Sequence, residues 1–182
     1  MLFNSDLKKY RRYSRNKNVI ILVITTQGLW AIFVYRISNA IYTSNLPKLL
    51  KKILLIIAVF FQKWIEIVAG ISIPYSATIG REFYIGHFGG IIINSNAIIG
   101  ENCNITHGVT IGISGRNESR GVPIIGNNVY IGANAVLAGK IRIGDNVVVA
   151  ANSLVISSVE ENSTVLGVPA QVINTNTSKN YI

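Results

Sequence analysis

The sequence predicts a mainly β fold, a parallel β-helix of hexapeptide repeats preceded by a short α-helical N-terminal segment, on three observations. Aliphatic residues recur every six positions from Ile73 onward, most often followed by Gly. Before Ile73 the chain is basic and carries apolar runs that fit helices better than strands. Hydrophobic residues make up 49% of the 182 and charged residues 14%, which excludes a disordered chain and suits one domain with an appendage.

Residues 1–72 form the appendage, a basic, apolar helical segment that is expected to be membrane-proximal or a cap on the trimer, with a fully soluble helical cap as the alternative. They hold 11 Lys and Arg against Asp6 and Glu66, so they carry the whole formal charge of +9. Six of these bases, Lys8, Lys9, Arg11, Arg12, Arg15 and Lys17, stand directly before the apolar run Val19 to Tyr35. A basic block beside an apolar helix fits an anionic lipid surface, and no nucleic-acid motif accompanies it, so no nucleic-acid partner is expected. The run is short for a membrane span, and Thr25, Thr26, Gln27 and Gly28 interrupt it. A signal peptide is opposed by Arg36, which separates the run from the small residues Ser38 and Ala40. The next run, Ile53 to Phe61, is apolar on every face and is expected to be buried against lipid or another subunit.

Residues 73–173 carry the repeats. The series Ile73, Ile79, Ile85, Ile91 shifts by a two-residue insertion to Ile99, Ile105, Ile111. An eight-residue insertion in an arm spanning 112–124 shifts it again, to Ile125, Ile131, Leu137, Ile143 and Val149. Each rung of such a solenoid buries its aliphatic residues only by stacking on the next. Cys103, at the fifth place of its hexad, points inward as a small core residue. As the only cysteine, it excludes a disulfide framework and a thiolate metal cage. Residues 174–182 read as a polar tail.

Three hexads to a coil place Ile85, Ile105, Ile131 and Val149 on one side. The third residues of those hexads, His87, His107, Ala133 and Ala151, then form one outer column with a rung spacing of about 4.8 Å. The chain has two histidines, and the frame makes them neighbours. Imidazole titrates near neutral pH, so they are candidate catalytic groups. The alanines beyond leave a shallow groove suited to a slender pantetheine arm.

These stretches, with YRIS at Tyr35 to Ser38, IGHFGGIIIN at Ile85 to Asn94, NITHGVTIG at Asn104 to Gly112, IGNNVYIGANAVLAG at Ile125 to Gly139 and GVPAQVI at Gly167 to Ile173, resemble the serine acetyltransferase branch of the left-handed β-helix acyltransferases. The resemblance implies a left-handed coil, acetyl-CoA as co-substrate, and a homotrimer with active sites in clefts between neighbouring coils. It implies that His87 is the general base that takes the proton from the acceptor hydroxyl, and the hexad frame, not the resemblance, sets His107 beside it. It also brings two departures. The family's aspartate before the base is replaced by Gly86, leaving Glu82 or His107 to orient His87. The family's Arg-His-Pro step is replaced by Gly121, Val122 and Pro123.

Both departures remove polar partners for a free amino acid, so the expected acceptor is a hydroxyl on a cell-surface polysaccharide or its sugar precursor, with serine O-acetylation as the alternative. Gly86, Asn94, Arg116 and Arg120 are the acceptor-side candidates, and the two arginines could instead serve the coenzyme. Ala133, Ala151, Lys140, Arg142 and Gly115 are the coenzyme-side candidates. No metal is expected, since a zinc lyase of this fold needs three histidines. A purely structural or ice-binding coil would show rows of Thr, whereas Thr106 and Thr110 are isolated. The expected location is the bacterial cytoplasm, at the inner face of the membrane.

Overall fold

The computed structural model describes residues 2–15 and 17–182. Four helices come first: α1 (Phe3–Tyr13), α2 (Val19–Thr25), α3 (Gln27–Thr43) and α4 (Lys48–Ala69). The run Val19 to Tyr35 is thus two helices. The extended backbone of Thr26 separates them, and their axes differ by 92°. No single helix among the described residues is long and apolar enough to cross a membrane, although this bent pair passes on length and composition. Gly70 ends α4 in the left-handed conformation, at φ 63°.

Three parallel faces follow, built from short strands. The first holds β1 (Ile71–Ser72), β4 (Ile91–Ile93), β7 (Thr110–Gly112), β10 (Val136–Ala138) and β13 (Leu154–Val155). The second holds β2 (Thr78–Ile79), β5 (Ile98–Ile99), β8 (Ile124–Ile125) and β11 (Arg142–Ile143). The third holds β3 (Tyr84–Ile85), β6 (Asn104–Ile105), β9 (Tyr130–Ile131), β12 (Val148–Val149) and β14 (Thr164–Gly167), closed by the antiparallel β15 (Ala170–Asn174). The repeating aliphatic residues fill the interior with the fifth-place residues, among them Ala77, Phe83, Cys103, Val109 and Val147. Burial pushes the Cys103 thiol up to about 11, consistent with a core role.

The registers pair Ile85 with Ile105, Ile105 with Ile131 and Ile131 with Val149, so these residues share one side. One detail of the frame differs. Ile93, not Ile91, pairs with Ile111, and Ile91 pairs with Ile71. The two extra residues therefore lie before β4, in the turn that carries His87 through Gly90, and they widen the chain there.

The helices close the open edge of the first coil. A β-helix must end somewhere, and its terminal strands expose unpaired N–H and C=O groups. The Tyr10 hydroxyl donates to the Ile85 carbonyl at 3.0 Å and accepts the Ile85 N–H at 2.9 Å. The Tyr35 hydroxyl donates to Ala77 O at 2.8 Å and accepts Ile79 N–H at 3.1 Å. Arg36 donates to the Ile79 carbonyl and makes a bidentate pair with Asp6, which also accepts the Phe83 N–H at 2.9 Å. Lys9 is fully buried and donates to Asn102 Oδ1 at 2.6 Å. It caps a ladder of asparagine side chains through Asn128, Asn146 and Asn162, all in the left-handed region.

The basic block is thus only partly tied down: Lys9 is core and Arg12 pairs with Glu82 at 3.4 Å, whereas Lys8, Arg11, Arg15 and Lys17 are exposed. The run Ile53 to Phe61 is also less covered within the chain than its composition suggests. Ala58, Ile65 and Ala69 are the buried residues of α4, whereas Leu49, Ile53, Ile56, Phe60, Trp64 and Ile67 are exposed.

Candidate active site

His87 and His107 stand at the edge between the third and first faces, just after β3 and β6. Backbone bonds stack the rungs: Gly108 N–H donates to Gly89 O, Asn134 N–H to His107 O, and Asn152 N–H to Ala133 O, at 2.8 to 3.0 Å. His107, Ala133 and Ala151 thus succeed one another along one edge, but the place beneath His107 belongs to Gly89, because the two extra residues lie in this turn; His87, expected in the column, stands beside it. The two imidazole centroids are 5.9 Å apart and the rings are inclined at 72°. Both residues are exposed, and among the described residues neither imidazole has a hydrogen-bond partner. The turn after His87 needs its glycines, since Gly89 and Gly90 have φ of 99° and 66°, a region in which a side chain is strained.

Glu82 is not an orienting partner. It lies at the other end of β3, between the second and third faces, where Arg12 holds its carboxylate. His107 remains the polar side chain next to the base. Gly86 is not imposed by crowding: a Cβ there would lie at least 3.5 Å from its neighbours, at an ordinary φ. Gly121 is imposed, because a Cβ would come within 2.7 Å of the Lys140 Cβ.

The remaining predicted residues lie elsewhere in the chain. Gly115, Arg116 and Arg120 are exposed in the arm, whose short helix spans Asn117–Ser119 and whose base is closed by Ser114 and Gly121. Gly115 is a turn residue, with φ 92° and no room for a Cβ beside the Ser119 carbonyl. Lys140 reaches the Glu118 carbonyl at 3.4 Å. Asn94 uses its side chain to accept Asn96 N–H at 3.0 Å in the turn after β4. Arg142 pairs in register with Ile124 on the second face. These residues line the edge between the first and second faces or the second face itself, so the full width of the first face separates them from the histidines of the same chain.

A cavity of about 350 Å³ opens beside His87, between the solenoid and the helices. Tyr84, Gly86, His87 and Phe88 form one wall, and Tyr13, Ser14, Lys17, Thr25, Thr26 and Gln27 are on the other. Sequence reasoning did not reach this second wall. Its one local sign was Gly28, inside an apolar helix, where a Cβ would stand 2.6 Å from the Tyr10 hydroxyl and 3.0 Å from the Ile85 Cβ. Burial raises Tyr10 well above the usual phenol range, so its hydroxyl stays protonated at the cavity floor.

Residues 123–157 match the family described as bacterial transferase hexapeptide (six repeats). The serine acetyltransferase of Bacillus pumilus is 34% identical over 163 residues, covering 90% of this chain and 71% of its own. That of Bacillus subtilis is 33% identical, covering 87% and 69%. Among solved structures, serine acetyltransferase from Brucella abortus superposes with a TM-score of 0.83 at 26% identity, covering 98% of this chain and 70% of that one. The Neisseria gonorrhoeae enzyme in complex with serine superposes at 0.81 with 33% identity, covering 95% and 68%. The fold is the left-handed β-helix of these proteins, and the chain belongs to the serine acetyltransferase family of hexapeptide-repeat O-acetyltransferases.

Proposed function

We propose that the chain moves the acetyl group of acetyl-CoA to the hydroxyl of free serine. The observation that carries the reaction type is the imidazole pair on adjacent rungs at the mouth of the cavity. The relatives support serine over the saccharide acceptor to which the sequence departures point, and one relative is described with bound coenzyme A, the Brucella abortus enzyme. His87 accepts the acceptor's hydroxyl proton as its oxygen attacks the thioester carbonyl. The carbon–sulfur bond then breaks, and the proton passes to the departing thiolate. Ala133 and Ala151 carry no bulk beyond the histidines, which suits a pantetheine chain lying along the edge. His87→Ala is expected to lower turnover by about two to four orders of magnitude while coenzyme binding persists. Turnover within a factor of about three of the parent would remove His87 from the role of base.

The saccharide reading keeps one specific support. Gly86 has room for a Cβ and carries no side chain, and the arm offers Gly121 and Val122 where the resemblance leads one to expect charge. Thiol release with acetyl-CoA, compared between L-serine and envelope saccharides, decides between the two acceptors.

The quaternary proposal follows from the separation of the edges. A cleft that contains both the histidines and an arm requires a second coil, so we place the site between copies of a trimer. We also propose attachment to anionic lipid through α4, where the exposed Ile53, Ile56, Phe60 and Trp64 accompany the exposed Lys48 and Lys52. Lys48→Glu with Lys52→Glu is expected to reduce sedimentation with anionic vesicles, and equal sedimentation would refute the attachment.

A further inference from the structure

The cavity beside His87 has an unbalanced lining. Lys17 is the one residue of formal charge among its described lining residues, and no carboxylate faces it. Lys17 is exposed and makes no ion pair among the described residues. Its backbone N–H donates to the Ser14 carbonyl at 3.3 Å, which holds the turn from α1 toward α2 over the cavity. Apart from the His87 imidazole, the other polar side chains of the lining are hydroxyls and the Gln27 amide. A coenzyme running along the alanines leaves His87 in the opposite direction, so the space toward the helices is left for the acceptor. Its volume lies within the range of small-molecule sites.

We propose that this cavity is the acceptor subsite and that Lys17 binds an anionic group of the acceptor, a carboxylate or a phosphate. The inference rests on the acetyl-transfer reading and deepens it. A primary ammonium finds no counter-charge in the cavity and meets a like charge at Lys17, so the site selects for the acid end of a hydroxy acid and against an amine. For serine, Lys17 takes the carboxylate, so the charge comes from the helical segment and not from Gly121 and Val122 of the arm. For a phosphorylated sugar, the same ammonium takes the phosphate.

The test is steady-state thiol release from acetyl-CoA by the full chain with five acceptors: L-serine, 3-hydroxypropanoate, 2-aminoethanol, glucose 1-phosphate and methyl glucoside. The expected result is that 3-hydroxypropanoate matches or exceeds L-serine in kcat/KM, with 2-aminoethanol at least about tenfold below both. Lys17→Gln is expected to raise KM for the preferred anionic acceptor by about 10- to 100-fold, with kcat within about twofold, and Lys17→Arg is expected to restore most of the loss. A preference for glucose 1-phosphate over L-serine assigns the anion to phosphate, and the reverse assigns it to carboxylate. Turnover in which 2-aminoethanol outperforms 3-hydroxypropanoate, or in which Lys17→Gln leaves KM unmoved, overturns the role of Lys17 and leaves the reaction type standing. Absence of thiol release with all five acceptors overturns the subsite and the acetyl-transfer reading together.

Discussion

The two ends of the solenoid solve the same problem with different chemistry. Each interior rung satisfies its backbone with the next rung, but the first and last rungs lack a neighbour. At the N-terminal end the substitute is a set of buried side chains, Tyr10, Tyr35, Arg36 and Asp6, reaching from α1 and α3. At the C-terminal end it is backbone: β15 folds back antiparallel on β14, and the tail lies along the third face with Tyr181 against Tyr130, ring centroids 4.7 Å apart. A backbone cap tolerates many sequences. A side-chain cap depends on particular residues, because removing one leaves a desolvated partner unpaired.

The largest effect is expected at the N-terminal ion pair. Asp6 is fully buried and Arg36 is 7% exposed. Arg36→Met strands the Asp6 carboxylate and the Ile79 carbonyl, at a cost of about 3–5 kcal/mol. The double variant Asp6→Leu, Arg36→Met should recover part of that loss, since two apolar groups strand no charge. Urea midpoints of the parent and both variants measure this. If Arg36→Met costs less than about 1 kcal/mol, the ion pair is not what holds the cap.

The next effect depends on pH. Burial lowers Lys9 from 10.5 to about 8, so between those values the unfolded chain binds more protons and stability rises with pH. Cys103 opposes it. Its thiol ionises near 9.0 when unfolded and near 11 when folded, so from about pH 9 the unfolded chain binds fewer protons at that site and stability falls. Tyr35, raised from 10.0 to about 12, adds to the fall above pH 10, as does Tyr10. The net expectation is a rise from pH 8 to a maximum near 9, followed by decline. In Lys9→Met the rise should vanish and the decline remain. Thermal midpoints across pH 7 to 11 give the comparison, and a parent profile flat from 8 to 9 would contradict the buried ammonium.

The same contrast explains what could be read from the sequence. The repeats were legible because each rung repeats one local demand, an aliphatic residue inward every sixth position, and the nearness of the two histidines followed by counting, although the insertion gives Gly89 the backbone place that the count gave His87. The exact position of the two-residue insertion was not, because Ile91 and Ile93 both face inward and a shift by two preserves the alternation. The cap left no periodic trace. Asp6 with Arg36, Tyr10 with Ile85, and Lys9 with Asn102 are single contacts between distant residues, and each partner alone reads as an ordinary surface or helix residue. For the same reason Lys9 counted as free charge, and Ser14, Lys17 and Gln27, some 60 to 70 positions before His87, stayed outside the site.

The smallest effect is expected at the tail, although it makes several contacts. The Asn176 carbonyl accepts the Thr164 hydroxyl at 2.8 Å, the Ser178 N–H donates to Asn146 O at 3.1 Å and the Asn104 amide donates to Tyr181 O at 2.7 Å. Deleting residues 175–182 removes all of these, yet the groups left behind lie on the outside of the third face and gain water in place of the tail. Exchange of a protein partner for water costs little, about 1 kcal/mol or less per bond. Asn104 Oδ1 is buried without a partner beneath the tail, so hydration of that atom offsets part of the loss. The truncated chain is therefore expected to unfold within about 1–2 kcal/mol of the parent, well short of Arg36→Met, with β15 still pairing β14. A truncation as damaging as the ion-pair variant would mean that the tail, and not β15, closes the C-terminal end.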